Sequence, residues 1–248
     1  MKPNLLIKNA LRILTMDDQR RELSGVDILT RGRTILMIVK NLPEEDARVL
    51  DATGCVVVPG FINVHHHLVQ TLTRNVAAVQ DAKLFDWLTY LYTVWRHLTP
   101  DAVAAGAEVG LAELLLTGCT TTSDHTYLFP GGKSAELIDR QIDAAHRLGI
   151  RFHPTRGSMS VGLSKGGLPP DDCTQEEDEI LKDCERLVKA YHDPTPYSMC
   201  RVGLAPCAPF SVSAELMKTM AQQAKKWGVG LHTHLAETID EEIYCLER

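Results

Sequence analysis

No Cys-x-x-Cys pair occurs in this 248-residue sequence, and its seven cysteines, Cys55, Cys119, Cys173, Cys184, Cys200, Cys207 and Cys245, form an odd set. A disulfide framework and a zinc ribbon are both excluded as organising devices, and a reducing, cytoplasmic setting is expected. No apolar run approaches the roughly 20 residues that a membrane helix needs. The early Leu5-Leu6-Ile7 run is cut by Lys8 and Asn9, too soon for the core of a secretion signal. No membrane partner is expected. A basic stripe is missing too: 26 Lys and Arg face 32 Asp and Glu, spread through the sequence, for a net charge of -6. Without a surface that neutralises phosphates, polymeric nucleic acid is a poor partner. Fixed-period repeats and low-complexity tracts are absent. What is there, 44% apolar and 23% charged residues, is an ordinary globular composition with enough chain for a substantial core.

Two rhythms divide the chain. From Leu5 to Val58 short β-like runs (Leu5 to Ile7, Leu11 to Leu14, Val26 to Leu29, Ile35 to Val39, Cys55 to Val58) alternate with polar turns such as Asp17-Asp18-Gln19. Residues 1–58 are therefore expected to form a small accessory β-domain, a meander. After Pro59-Gly60, strand-length runs alternate with helical periods, which predicts β-α units and a parallel sheet. Five strands are expected, over Phe61 to His67, Thr120 to Asp124, Ile150 to Arg156, Arg201 to Ala205 and Val229 to His234. Thr99-Pro100-Asp101 reads as a helix start, and Gly118, Gly149 and Gly228 as helix stops. Leu137, Ile138, Ile142, Ala145 and Leu148 share one face of a helix over Ser134 to Leu148. The Gly157 to Asp172 linker is long for a β-α loop and is expected to shape a pocket. The fold class expected for 59–248 is α/β: a (β/α)8 barrel truncated after about five units, since a closed barrel needs eight strands and the chain stops inside the helix that follows strand five.

The chemistry sits at strand ends. Residues two apart on a strand face one side, so in Val64-His65-His66-His67 the outer two imidazoles converge and His66 turns away. Neutral imidazole suits Zn, Fe, Ni or Cu. A lone His-x-His often arises by chance, but a second, His232-Thr233-His234, ends predicted strand five, where the active face of a parallel barrel lies. Glu237, three residues past His234, stands where a carboxylate can take a proton from a metal-activated water and deliver it to a leaving amine. It also reads as a helix-start acid favoured by the dipole. His125 beside Asp124 either orients a substrate or is an ordinary partnered histidine. Trp87, Tyr90, Tyr92 and Trp95 read as packing, with no chemistry assigned.

Val57-Val58-Pro59-Gly60-Phe61-Ile62-Asn63-Val64-His65-His66-His67, Thr117-Gly118-Cys119-Thr120-Thr121 and His232-Thr233-His234-Leu235-Ala236-Glu237 resemble, in order and spacing, the amidohydrolase superfamily. Within it the chain is similar to the cytosine, guanine and s-triazine aminohydrolase branch. Gln70 to Asn75, Ala82 to Leu88 and Arg156 to Ser160 lie closest to its 8-oxoguanine deaminases. The resemblance implies a metal-dependent hydrolase barrel holding one divalent transition metal, zinc before iron, on His65, His67 and His234. It further implies Glu237 as proton shuttle, a small heterocyclic substrate deaminated by metal-activated water (8-oxoguanine to urate plus ammonia), and possible homo-oligomers. Gln70 and Arg156 match substrate-holding positions, although they read equally as a solvated amide and a salt-bridged cation. Cys207 stands where a histidine is common in the branch, which disfavours adenosylhomocysteine-type recognition; it also reads as a small buried residue. A histidine after strand six and a metal-binding aspartate after strand eight have no counterpart in the 248 residues. The expectation is accordingly an incomplete and inactive site in this chain alone. A triazine or cyclic-amide hydrolase and a non-catalytic fragment are the alternatives.

Overall fold

Alternating apolar residues between Leu5 and Val57 build seven short strands: β1 (Asn4–Lys8), β2 (Arg12–Leu14), β3 (Glu22–Leu23), β4 (Asp27–Arg31), β5 (Thr34–Val39), β6 (Ala47–Asp51) and β7 (Val56–Val57). The computed structural model describes residues 4–132 and 134–247. Met1 to Pro3, which open the expected β-domain, and Arg248, which closes the expected barrel segment, lie outside the described residues, as does Lys133. The chain divides into two compact units, Met1–Phe61 and Ile62–Arg248.

The first unit is not the meander expected. Its strands order as β5-β4-β1-β6 and β3-β2-β7 in two sheets. β1 runs antiparallel to β4 but parallel to β6, and β2 runs parallel to β7. A parallel neighbour cannot be reached by a hairpin, so β6 and β7 return from a distance in sequence. Ala10, Ile13, Ile28 and Ala52 form the unit's buried cluster.

The second rhythm yields β8 (Phe61–Asn63), α1 (Leu84–Trp95), α2 (Pro100–Leu116), β9 (Cys119–Thr126), α3 (Ser134–Leu148), β10 (Arg151–Ser158), α4 (Glu177–Tyr191), β11 (Gly203–Pro206), α5 (Ala214–Trp227) and α6 (Ile239–Glu247). The strands lie in the order β11-β10-β9-β8, with β9, β10 and β11 parallel. Helix ends follow the sequence signals. Thr99 Oγ1 accepts the Ala102 N–H at 3.2 Å, and α5 stops where Gly228 turns left-handed at φ 68°. On α3, Leu137, Ile138, Ile142 and Ala145 are buried as expected, but Leu148, the helix's last residue, is 39% exposed.

Strand ends depart from expectation where prolines interrupt the ladder. Leu204 makes a full rung, its N–H reaching the Gly230 carbonyl and its own carbonyl taking the His232 N–H, both at 2.9 Å. The next rung calls for an N–H from Pro206, which has none. His234 bonds instead to the Cys207 carbonyl at 2.9 Å. The expected fifth strand is thus reduced to one bridge, between Leu204 and Leu231. Pro154 breaks the β10–β11 pairing in the same way. A bridge joins Phe152 to Cys200, and the ladder restarts only at the Thr155–Gly203 pair. β8 ends at Asn63, and a 2.7 Å bond from the His125 N–H to the His66 carbonyl ties the following segment to the end of β9.

Candidate metal centre

His65 and His67, two apart in the segment that follows β8, turn their rings toward each other. His66 turns toward α2, its Cε1 lying 3.7 Å from where a Cβ on Gly110 would sit. His65 Nε2 lies 3.1 Å from His67 Nε2, and His67 Nε2 lies 3.1 Å from His234 Nε2. The tautomers decide what this means. His67 Nδ1–H donates to the His125 carbonyl and His234 Nδ1–H to the Cys207 carbonyl, each at 2.7 Å. A neutral imidazole that donates from Nδ1 carries a bare lone pair on Nε2. Two lone pairs therefore face each other at 3.1 Å with no hydrogen between them, an arrangement that a cation stabilises. Tetrahedral Zn–N bonds of about 2.0–2.1 Å place ligand nitrogens about 3.3 Å apart, close to what is seen. The donor set fits a divalent transition metal.

His65 and His67 are held neutral, as ligands must be. Burial, then repulsion from His234 and His232, pulls His65 down to about 4; burial followed by His234 pulls His67 down to about 3. His125, fully buried and stacked on His234 with ring centroids 4.4 Å apart, is held well below its ordinary value by burial first and by the surrounding histidines second.

The three histidines open into a cavity of about 180 Å³ that Glu237, Gln70 and Cys207 also line. Glu237 follows Ala236, which adopts φ 57°, and its N–H is held by Glu241 Oε2 at 2.7 Å. Gln70 donates from Nε2 to the Tyr127 hydroxyl at 3.2 Å. Burial pushes the Cys207 thiol up to about 12, so it remains a neutral SH group. Trp87 and Tyr92, read from sequence as packing alone, form part of the cavity wall, as do Tyr127 and Phe210. Trp95 is fully buried and Tyr90 is 41% exposed.

Arg156 is not brought to this group. On β10, His153 and Thr155 face the side of the sheet that carries His232, so Arg156, the next residue along, faces the helices. There it is fully buried, bonded through Nε to Asp183 Oδ2 at 2.6 Å and through Nη2 to Gln175 Oε1 at 2.8 Å, with Phe129 beneath the guanidinium at 3.8 Å. Of the two readings the sequence left open for Arg156, the structure shows the salt-bridged cation. The Gly157 to Asp172 loop is also placed differently. Among the described residues none of it lines the cavity; Asp172 instead pairs with Arg96 at 2.5 Å, and Ser164 N–H and Oγ bond Asp171. Two histidines not assigned as ligands join the cluster. His232 Nε2 lies 3.0 Å from His65 Nδ1, and the His125 carbonyl orients His67. The signal for His232 was in the sequence, because His232-Thr233-His234 repeats the spacing of His65-His66-His67.

Residues 56–248 match the amidohydrolase family. An 8-oxoguanine deaminase of Pseudomonas aeruginosa is 46% identical over 98% of this chain and 54% of its own length. The chain belongs to the amidohydrolase family. Hydroxydechloroatrazine ethylaminohydrolase of a Pseudomonas species is 37% identical over 91% of the chain and 50% of its own length. Among solved amidohydrolase structures, atrazine chlorohydrolase TrzN from Arthrobacter aurescens TC1 complexed with zinc superposes with a TM-score of 0.91 at 36% identity, over 98% of this chain and 55% of that one. The chain thus has an amidohydrolase α/β fold and spans about half the length of the relatives it matches. No helix of the described residues is long and apolar enough to cross a membrane.

Proposed function

We propose that this chain is the N-terminal part of a metal-dependent aminohydrolase: a small β-domain followed by barrel strands one to five. Its reaction is the hydrolytic deamination of a purine-like heterocycle, 8-oxoguanine to urate and ammonia, in the cytoplasm. The observation that carries the reading is the facing pair of bare Nε2 atoms, 3.1 Å apart, in a cavity that also contains a carboxylate. Zinc, present in the solved triazine hydrolase, is the first choice and iron the second. When bound on His65, His67 and His234, the ion supplies Lewis acidity, which brings the pKa of a water toward 7.

The remaining work falls to side chains. Glu237 takes a proton from the attacking water and returns it to the departing amine, so that a ring C–O bond forms, the exocyclic C–N bond breaks, and ammonia leaves neutral. Trp87, Tyr92 and Phe210 give a flat ring an apolar wall and keep bulk water from it. Gln70 and Cys207 offer an amide and a thiol to its polar edge. The 37%-identical triazine aminohydrolase supports a second reading, a triazine substrate on the same site.

Ammonia release from 8-oxoguanine and guanine, and chloride release from chlorotriazines, separate the two in the protein at its natural length. Ammonia from 8-oxoguanine, lowered at least about 100-fold by Glu237→Gln, is expected. Chloride without ammonia from any aminopurine would replace the purine reading by the triazine one. For the 248 residues alone we expect weak metal binding and no multiple turnover; sustained ammonia release by that polypeptide would contradict this.

A further inference from the structure

Each of the three histidines that converge through Nε2 needs its Nδ1 accounted for. His67 and His234 give theirs to backbone carbonyls, of His125 and Cys207, at 2.7 Å. Among the described residues His65 has no carbonyl in this role; its Nδ1 faces His232 Nε2 at 3.0 Å. The backbone of His232 is fixed by its N–H bond to the Leu204 carbonyl at 2.9 Å, and the His-x-His spacing sends its ring to the same side as His234.

The geometry points to His232 as a positioning residue that sets the tautomer of His65 for metal binding, an inference that rests on the metal reading above. Two proton arrangements fit the observed contacts. In one, His232 Nε2–H donates to His65 Nδ1, and His65 Nε2–H donates to the bare Nε2 of His67 across 3.1 Å. In the other, His65 Nδ1–H donates to His232 Nε2, which leaves His65 Nε2 bare beside those of His67 and His234. Only the second offers three lone pairs to a cation. His232 supports both because an imidazole nitrogen can accept or donate according to where its single proton sits. Loading then moves a proton from one nitrogen to the other on each ring, with no net release from this pair.

A backbone carbonyl could serve only the second arrangement. The side chain at 232 is therefore the one adjustable member of the support around the three ligands, and outer partners of this kind are worth about 10- to 100-fold in metal affinity. His65, His125 and His232 are also close enough to suggest a second cation site. That use would require His65 to surrender both nitrogens at once, so the tautomer role is the one we assign.

The test is a cobalt(II) titration against a competing chelator, with the visible spectrum recorded, on the protein at its natural length and its His232→Gln, His232→Leu and His65→Ala variants. Gln, which can accept, is expected to keep affinity within about 3-fold. Leu, similar in bulk but unable to accept, is expected to weaken it about 10- to 100-fold and to alter the cobalt spectrum. Equal affinity and spectrum for Leu and the unaltered chain, with His65→Ala losing the metal, would overturn the role of His232 alone. Two ions bound per chain, with one lost in His232→Leu, would overturn it in favour of the second site. No binding by the unaltered chain, or binding unaffected in His65→Ala, would strike the metal reading itself and take this inference with it.

Discussion

At Asp124 burial and hydrogen bonding pull in opposite directions, and burial wins. The carboxyl is fully enclosed and raised to about 6, although Leu68 N–H at 2.6 Å, Thr126 Oγ1 at 2.6 Å and Gln141 Nε2 at 3.0 Å all bond it. Thr126 has one proton for two oxygens, Asp124 Oδ2 and Gln141 Oε1, each at 2.6 Å. A proton on Asp124 satisfies both. Because the folded value lies above the ordinary 3.8, the protonated form favours the fold. That stability is present below pH 3.8 and is lost as pH rises through about 6, on the order of 3 kcal/mol in total. Urea unfolding from pH 4 to 7 is expected to show the unaltered chain losing about that much relative to Asp124→Asn; parallel stability curves would refute it. Other residues differ in how far the sequence betrayed them. His65, His67 and His234 were legible because alternation and motif agree. Arg156 was left open between substrate contact and a salt bridge because strand register, which decides the face, is not written in the residue itself. His232 was not assigned a role because its partner, His65, is distant in sequence and meets it only in the fold.

Elements were legible where local chemistry ends them. Thr99, Gly118, Gly149 and Gly228 mark helix boundaries through caps and positive φ, which depend on near neighbours only. Strands were not, because a ladder depends on what the partner strand can donate. Pro154 and Pro206 each remove one rung, and the second leaves the segment carrying His232 and His234 with a single bridge and three backbone bonds. β6 was missed because its partner, β1, is more than 40 residues earlier and no turn signal joins them. Close approach between elements is another contact that sequence conceals. A Cβ on Gly157, at the end of β10, would lie 2.1 Å from the Thr126 carbonyl of β9. That oxygen belongs to the backbone and cannot swing aside. Gly157→Ala is expected to lower stability by about 2 kcal/mol or more in denaturant unfolding, and a loss below about 0.5 kcal/mol would show that the two strands can part without cost.

At the scale of the molecule, composition excluded more than it identified, and the order of motifs identified the family. What the motifs could not supply is the arrangement by which five histidines from three separate segments cluster, three of them lining one cavity, with two carbonyls and one imidazole fixing the ligands' protons. The central claim is that His65, His67 and His234 hold one divalent cation. Zinc affinity and stoichiometry of the protein at its natural length, compared with His65→Ala, His234→Ala and His66→Ala, test it most directly. The account predicts about one equivalent in the unaltered chain and in His66→Ala, and affinity reduced at least about 100-fold when either His65 or His234 is removed. Unchanged stoichiometry and affinity in both ligand variants would contradict it.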